Sequence, residues 1–368
     1  MAGLDIAVVG LGAAGLGAAL AAAEAGHRVI GFEQYDLDHQ PASSGGRGKI
    51  IRFGYGDPFY ADLMRTTYPR WQQLTEQTGR TLMSLYGGLH VGPAEHIAVV
   101  ARGIEDAGHE VYDGHAYADS IGVRIPAGEA AIFEPTAGVM WPSQARAALA
   151  EAARSAGADL REHAQVQKID PDPARPVVRT ADGSFEFDRV IVAGGPWAFR
   201  LAPQVAGWFV ITRRFQVVFG TDRPLGDGRP HPWIDHADPG FYGMTNVDEG
   251  IHLIGLHRAD LEQVVDDPDE PDDEATRAWS TNAQLDYLVQ RFGIDRPTPL
   301  QIRACHYTST RTDDFVIDEC PGAPGVILVS ACSGHGFKFA ITSGAYAAAL
   351  AQGRDVPDRD RFRLDRVT

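Results

Sequence analysis

Ile6-Ala-Val-Val-Gly10-Leu-Gly12-Ala-Ala-Gly15, running on through small apolar residues to Ala25 and then to Arg28-Val-Ile-Gly-Phe32-Glu33, sets the architecture of this chain. Ile6 to Val9 reads as a buried strand, Gly15 to Ala25 as a helix stopped by Gly26, and Arg28 to Phe32 as a second strand. That order is the opening of a βαβ unit. The three glycines serve different ends: one permits the tight turn, one lets a pyrophosphate reach the backbone, and one lets helix and strand pack closely. The anion then meets a helix N-terminus, whose free N–H groups and dipole favour it. Gly10, Gly12, Ala13, Ala14 and Gly15 are therefore the candidate phosphate cradle. Glu33, 18 residues beyond Gly15, ends the second strand where a carboxylate can accept both ribose hydroxyls, which favours FAD or NAD over a 2′-phosphorylated cofactor.

A chain of 368 residues can bury a large core and, at about 100–200 residues per domain, has room for two domains. The formal charge of −16 disfavours polyanions, so neither nucleic acid nor a membrane surface is an expected partner. Nine acids fall between Asp260 and Glu274, and such a run predicts a solvated loop leading into a helix. Three cysteines, Cys305, Cys320 and Cys332, are an odd number in a chain too long to need staples, which predicts a reducing compartment and no disulfide. The uncharged run from Ile6 to Ala23 has Asp5 where a secretory leader would be basic, and glycines interrupt it, so the expected location is cytoplasmic. No metal cluster is expected. Only three of the 33 basic residues are lysines, Lys49, Lys168 and Lys338, so a retained lysine suggests a site that wants a compact ammonium.

Further along, the Gly- and Ser-rich loop from Tyr35 to Lys49, with Gln34, Ser43 and Ser44, is of the kind that touches a ligand. Helices are expected over Pro58–Thr78, Pro142–Ala156, 274–292 and Gly336–Ala351. Extended runs are expected at 177–179, Phe185–Ala193, 209–220, 241–257, 300–308, 315–318 and 326–331. The apolar Val190-Ile-Val-Ala193 meets Gly194-Gly-Pro-Trp197, a buried strand entering a tight turn. Parallel elements at both ends and an antiparallel middle predict an α/β (α+β) fold: a discontinuous Rossmann-like FAD-binding domain with an inserted antiparallel-sheet substrate domain. The expected division is 1–80, 142–205 and 305–368 for the cofactor domain, and 81–141 and 206–304 for the substrate domain. The chain's return through Val190–Trp197 and again near 326–338 favours FAD over NAD.

With these residues in view, the chain resembles the monomeric sarcosine oxidase and N-methyltryptophan oxidase group of the glycine/D-amino-acid oxidase superfamily. The resemblance is carried by Val8 to Glu33, Ile50-Ile-Arg-Phe-Gly-Tyr55, Val190 to Trp197, Cys305-His-Tyr-Thr308 with Asp314-Phe-Val-Ile-Asp318, and Ser333 to Phe339. It implies a monomeric two-domain flavoprotein that oxidises secondary or cyclic amino acids to imines and passes the electrons to oxygen, giving hydrogen peroxide. It also implies FAD bonded through its 8α carbon to Cys305, with the turn Gly334-His-Gly336 stabilising negative charge on the flavin. Val166, Gly194 and Trp197 join the cofactor contacts by the same likeness. Arg52 and Lys338 correspond to the two cations that grip the substrate carboxylate, Tyr307 can hydrogen-bond it, and Tyr242 and His257 line the substrate cavity. Relatives carry an oxygen-activating lysine on the strand matching Ile251 to His257. Here that position holds Leu253, or His252 if a bulge shifts the register, while Lys49 stands where relatives have arginine. An amine dehydrogenase passing electrons to a partner or quinone, and a flavin-binding redox sensor without turnover, are the alternative readings.

Overall fold

The computed structural model describes residues 3–40, 42–257 and 263–367. Its first sheet has six strands in the order Val316–Glu319, Val326–Ser330, Arg189–Val192, Asp5–Val9, Arg28–Phe32 and Asp159–Arg161. The central pairs run parallel, as between Asp5–Val9 and its two neighbours. Only Val316–Glu319 is antiparallel. Ile6, Val8, Val190, Ile191 and Leu328 are wholly or almost wholly buried, the near-continuous apolar character that a sheet covered on both faces requires.

The helix Ala13–Glu24 lies against the helix Ala340–Ala351 near the end of the chain. Small residues allow this. A side chain on Gly17 would come within 2.6 Å of the Ala340 carbonyl oxygen, and one on Gly344 within 2.4 Å of the Ala18 nitrogen. Because the two helices touch backbone to backbone, the turn that precedes the last helix, with Lys338 in it, is brought over the glycine turn at residues 10–15. The indole of Trp71, from the long helix Pro58–Thr78, donates 2.6 Å to the Lys338 carbonyl and fixes that turn further.

The second large sheet has nine strands. Val210–Gly220 pairs along its length with Pro299–Ser309, so Cys305 stands opposite Arg214. The run 241–257 is two strands, Phe241–Asp248 and Ile251–Leu256, because Gly250 turns the chain at a φ of +64°. The sheet is mixed and not purely antiparallel: Pro232–Asp235 runs parallel to Gly88–Pro93. The expected helix 274–292 stops as an α-helix at Tyr287 and finishes in a π turn, Leu288–Phe292, closed by left-handed Gly293. The last helix likewise begins with a separate single turn, Phe337–Phe339.

The acidic run is more engaged than a solvated loop, as far as the described residues show; Asp260 and Glu262 lie outside them. Asp269 accepts a 2.9 Å hydrogen bond from the Trp197 indole and one of 2.7 Å from Arg200, and Asp272 pairs with buried Arg213. No helix among the described residues is long and apolar enough to cross a membrane.

Candidate active site

One cavity of about 770 Å³ runs from the glycine turn, past the Gly- and Ser-rich loop, to the space between the two large sheets. Its cradle end is built by close backbone approach. Gly10 has a φ of +87°, and a Cβ there would lie 2.6 Å from the Gly194 Cα; one on Gly12 would meet the Ser44 hydroxyl at 3.1 Å. Gly15 does not line the cavity. A Cβ on it would sit 1.9 Å from the Gly10 carbonyl oxygen, so its absence of a side chain serves the packing of helix on strand. Ala13, Ala14, Gln34, Val166, Gly194 and Trp197 all line this end.

Glu33 is only 4% exposed yet reaches the cavity wall. One oxygen accepts from the Leu11 N–H at 2.8 Å and the other from Tyr35 N–H at 3.1 Å. Each oxygen retains a lone pair for a ribose hydroxyl. The loop beside it is clamped by Arg303, two residues before Cys305 on the same strand, which donates to the carbonyls of Gln40 and Ala42 at 2.8 and 2.9 Å. Ser43 donates to the His306 carbonyl at 2.5 Å, and Ser44 accepts from the Ala13 N–H at 3.0 Å. A backbone cradle with no room for side chains, a buried carboxylate after the second strand and a long cavity leading away fit a flavin dinucleotide.

Beyond the cradle the same cavity is lined by Lys49, Arg52, Tyr242, His257, Cys305, Tyr307, Gly334, Gly336 and Lys338. Cys305 and Tyr307, two apart on one strand, share a face and line the cavity, and His306 between them reaches its wall as well. A side chain on Gly334 would strike the Tyr307 ring at 2.4 Å, so glycine there lets the last turn approach that strand. The Tyr307 hydroxyl donates to that of Tyr242 at 3.4 Å, and Tyr242 accepts from Gln216 at 2.9 Å. His257 opens onto the cavity while enclosed by protein; burial, then Arg214, Arg52 and Lys338, push its pKa down to about 4, so it is a neutral imidazole.

The cations define the electrostatics. Nη1 of Arg52 is buried with no hydrogen-bond partner among the described residues, and its guanidinium stacks 4.1 Å from the centre of the Tyr55 ring. Lys338 donates 2.8 Å to the Tyr55 hydroxyl and 2.8 Å to the His335 carbonyl. Burial, then Arg52 and Lys49, hold Lys338 well below the usual lysine range. Burial, then Arg303, bring Lys49 down to about 8. A cluster of crowded cations facing an enclosed space can accommodate an anion, because a carboxylate would return the charge balance that burial removes.

His252 is turned away from the cavity: it bonds Thr221 at 2.8 Å and the Asn246 N–H at 3.0 Å, and its ring lies tilted against that of Phe219. Leu253 packs in an apolar cluster with Val139, Val218 and Met244. Met244 lines the cavity and closely approaches Gly48, next to Lys49. Sequence reasoning missed Tyr55, although the segment containing it had been singled out, and missed His96 and His236, which also line the cavity. Tyr55 stands three residues after Arg52, a spacing that carried a signal. The two histidines come from a helix, Ala94–Asp106, and from the residue just past the strand Pro232–Asp235, and carried none.

The model of the DAO family, FAD dependent oxidoreductases, matches residues 5–350. The chain belongs to that family and is an FAD-dependent oxidoreductase. It is 30% identical over 360 residues to a monomeric sarcosine oxidase of Streptomyces avermitilis, covering 94% of this chain and 93% of that one. It is 26% identical over 385 residues to an N-methyl-L-tryptophan oxidase of Citrobacter koseri, covering 99% of both. In fold it is similar to NikD, an unusual amino acid oxidase essential for nikkomycin biosynthesis, with a TM-score of 0.85, 21% identity, and coverage of 99% of this chain and 98% of that one. It is similar also to the L-proline dehydrogenase of P. horikoshii, with a TM-score of 0.83, 20% identity, and coverage of 99% and 97%.

Proposed function

We propose that this protein oxidises a small secondary or cyclic amino acid to the imine, with FAD bonded to Cys305 and with oxygen as the electron acceptor, so that hydrogen peroxide is formed. The observation that carries the reading is the pairing of Arg52, with its unpartnered buried Nη1, and depressed Lys338 in the cavity that also holds Cys305. When bound, the flavin supplies the acceptor for the hydride that leaves the amine-bearing carbon. The protein's own part is orientation and exclusion of water. Arg52 and Lys338 hold the carboxylate, Tyr307 and Tyr242 close one wall with a shared hydrogen bond, and neutral His257 adds no competing charge. Fixed donors of this kind restrict a bound amino acid to one approach. The turn at Gly334 to Gly336 lines the same cavity as Cys305, and its backbone N–H groups would stabilise the negative charge that the flavin must carry for a thioether to form.

In this reading residues 1–80, 142–205 and 305–368 hold the dinucleotide, and 81–141 and 206–304 close over the substrate, with Cys305 at the junction. The sarcosine and N-methyl-L-tryptophan oxidases among its relatives support an N-methylated amino acid as substrate. The test is to supply N-methyl and cyclic amino acids in air and measure peroxide together with oxygen uptake. Peroxide equal to substrate consumed is expected; its absence with every such amino acid contradicts the reading.

A second reading, a dehydrogenase, is favoured by one observation: of the two positions that the resemblance sets against an oxygen-activating lysine, Leu253 sits in an apolar cluster and His252 faces away from the cavity. Fast reduction of an artificial dye with slow oxygen uptake would select it.

A further inference from the structure

Glu134, at the end of the strand Glu129–Glu134, is wholly buried. Its Oε1 accepts from the Phe53 N–H at 2.6 Å and the Thr136 hydroxyl at 3.0 Å. Its Oε2 accepts from the Gly54 N–H and from His90 Nε2, each at 3.0 Å. Burial alone would raise its pKa, but the hydrogen bond from His90, then the Phe53 N–H and Arg52, hold the carboxyl below the usual range. Burial outweighs the hydrogen bond and charge of Glu134 and holds the pKa of His90 below its usual value, so the ring is neutral; an ionised carboxylate only accepts, so the proton of His90 lies on Nε2 and its Nδ1 offers a lone pair. Nδ1 of His90 is 3.1 Å from Nε2 of His236. His236 must then donate from Nε2, which leaves the lone pair on its own Nδ1. That Nδ1 has no hydrogen-bond partner among the described residues, and His236 lines the cavity that contains Arg52. The arrangement is rigid: a Cβ on Gly54 would lie 2.6 Å from the His90 ring and 2.9 Å from Glu134, so no side chain separates them.

We propose that Glu134, acting through His90, fixes His236 as a permanent hydrogen-bond acceptor in the cavity wall, and that His236 receives the amine N–H of the substrate. The protein therefore selects amino acids that carry an N–H over their N,N-dialkylated counterparts. This rests on the amino-acid reading above and deepens it. In that substrate class the carboxylate only accepts, and the amine is the one obligatory donor. The cations and the acceptor thus match the two ends of one molecule. Glu134 is a positioning residue for both ends, since it also holds the N–H groups of Phe53 and Gly54, directly after Arg52. The groups facing His236 are His90, Arg52, His96 (ring centres 4.7 Å apart) and His257. All are neutral or cationic, and after burial they press its pKa well below 6.5. The adjacent Asp235 is engaged by Arg291, Tyr287 and the Ala237 N–H. His236 stays neutral, and therefore an acceptor, through the neutral and alkaline range.

The experiment has two arms on the holoenzyme. In the first, nitrogen NMR of protein labelled with ¹⁵N-histidine reads the tautomers: His236 and His90 should both carry their proton on Nε2, unchanged between pH 6 and 9, and Glu134→Gln should disturb both. A proton on Nδ1 of His236 overturns the proposal without reference to any substrate. In the second, kcat/KM is compared for an N-methyl amino acid and its N,N-dimethyl counterpart. A lost hydrogen bond to a buried acceptor corresponds to about 10- to 100-fold, so the parent should prefer the N-methyl compound by that order. His236→Phe should erase most of the preference, and His236→Asn, which keeps an acceptor near Nδ1, should restore part of it. An unchanged preference in His236→Phe overturns the proposal, as does a preference that follows an N–H on the side chain. If no N-methyl or cyclic amino acid reduces the flavin, the amino-acid reading itself fails, an outcome distinct from loss of the His236 effect alone.

Discussion

The ammonium of Lys338 donates a 2.8 Å hydrogen bond to the phenolic oxygen of Tyr55. The guanidinium of Arg52 lies against the face of that same ring, so one tyrosine spaces the two cations that face the cavity. Neither cation has a described carboxylate partner. Neutralising either one should weaken binding of an amino acid by about 10- to 150-fold, the range of a charge-assisted hydrogen bond of roughly 1.5–3 kcal/mol. The matching amine without its carboxylate should lose little. Equal losses for both ligands would show that the cations serve another purpose.

Carboxylate binding should also be coupled to a proton. Lys338 is held well below its ordinary value of 10.5 by burial and by Arg52 and Lys49, and an arriving anion favours its charged form. Where Lys338 is neutral beforehand, binding takes up a proton, so affinity falls as pH rises in the range below 10.5. Calorimetry in two buffers of different ionisation enthalpy measures that uptake, and Lys338→Met should abolish it.

In the proposed oxygen reaction Lys49 would supply the cation: it follows Gly48, which is closely approached by Met244 of the Leu253 cluster. Transfer of electrons to oxygen builds negative charge, which a fixed neighbouring cation stabilises without reorganising. With its pKa near 8, Lys49 is charged below that pH and neutral above it, so the rate of flavin reoxidation should fall as pH rises through about 8. Stopped-flow reoxidation of Lys49→Met should be slower at pH 7 and lack that step. An unchanged rate with intact flavin would remove Lys49 from the oxygen reaction.

Cys305 is 2% exposed, on the strand that faces the cavity. The purified protein should run as a fluorescent band on a denaturing gel, and Cys305→Ala should release its flavin on acid precipitation. Cys320 accepts a hydrogen bond from Gln204 and burial raises its pKa. Its replacement should leave the flavin attached.

Much of this was legible in the chain. The glycines at 10, 12 and 15, the carboxylate at 33 and the segments around Cys305 and Lys338 gave the cradle and most of the cavity wall, because local turns and strand alternation are written in short stretches. What stayed hidden depends on distant pairing. Pro232–Asp235 lies parallel to Gly88–Pro93, and that pairing alone brings His90 to His236. Gly250 split one long apolar run into a hairpin. His252, an open alternative in sequence, was decided by which face of its strand it occupies.

Gly344 tests whether the helix contact places Lys338. Gly344→Ala puts a methyl 2.4 Å from the Ala18 nitrogen, and overpacking of this kind costs about 1–3 kcal/mol. Lower thermal stability with weakened carboxylate binding is expected. Full stability with unchanged binding would mean that the last turn is held by the Trp71 hydrogen bond and not by helix packing.

The central claim is that the flavin of this protein is reduced by an amine-bearing carbon next to a carboxylate. Anaerobic mixing of the holoenzyme with N-methyl and cyclic amino acids, followed by absorbance of the flavin, tests it directly. Bleaching by at least one of them, with none by the corresponding amine lacking the carboxylate, is the predicted result. A flavin that stays oxidised throughout, in a correctly folded preparation, would contradict the account.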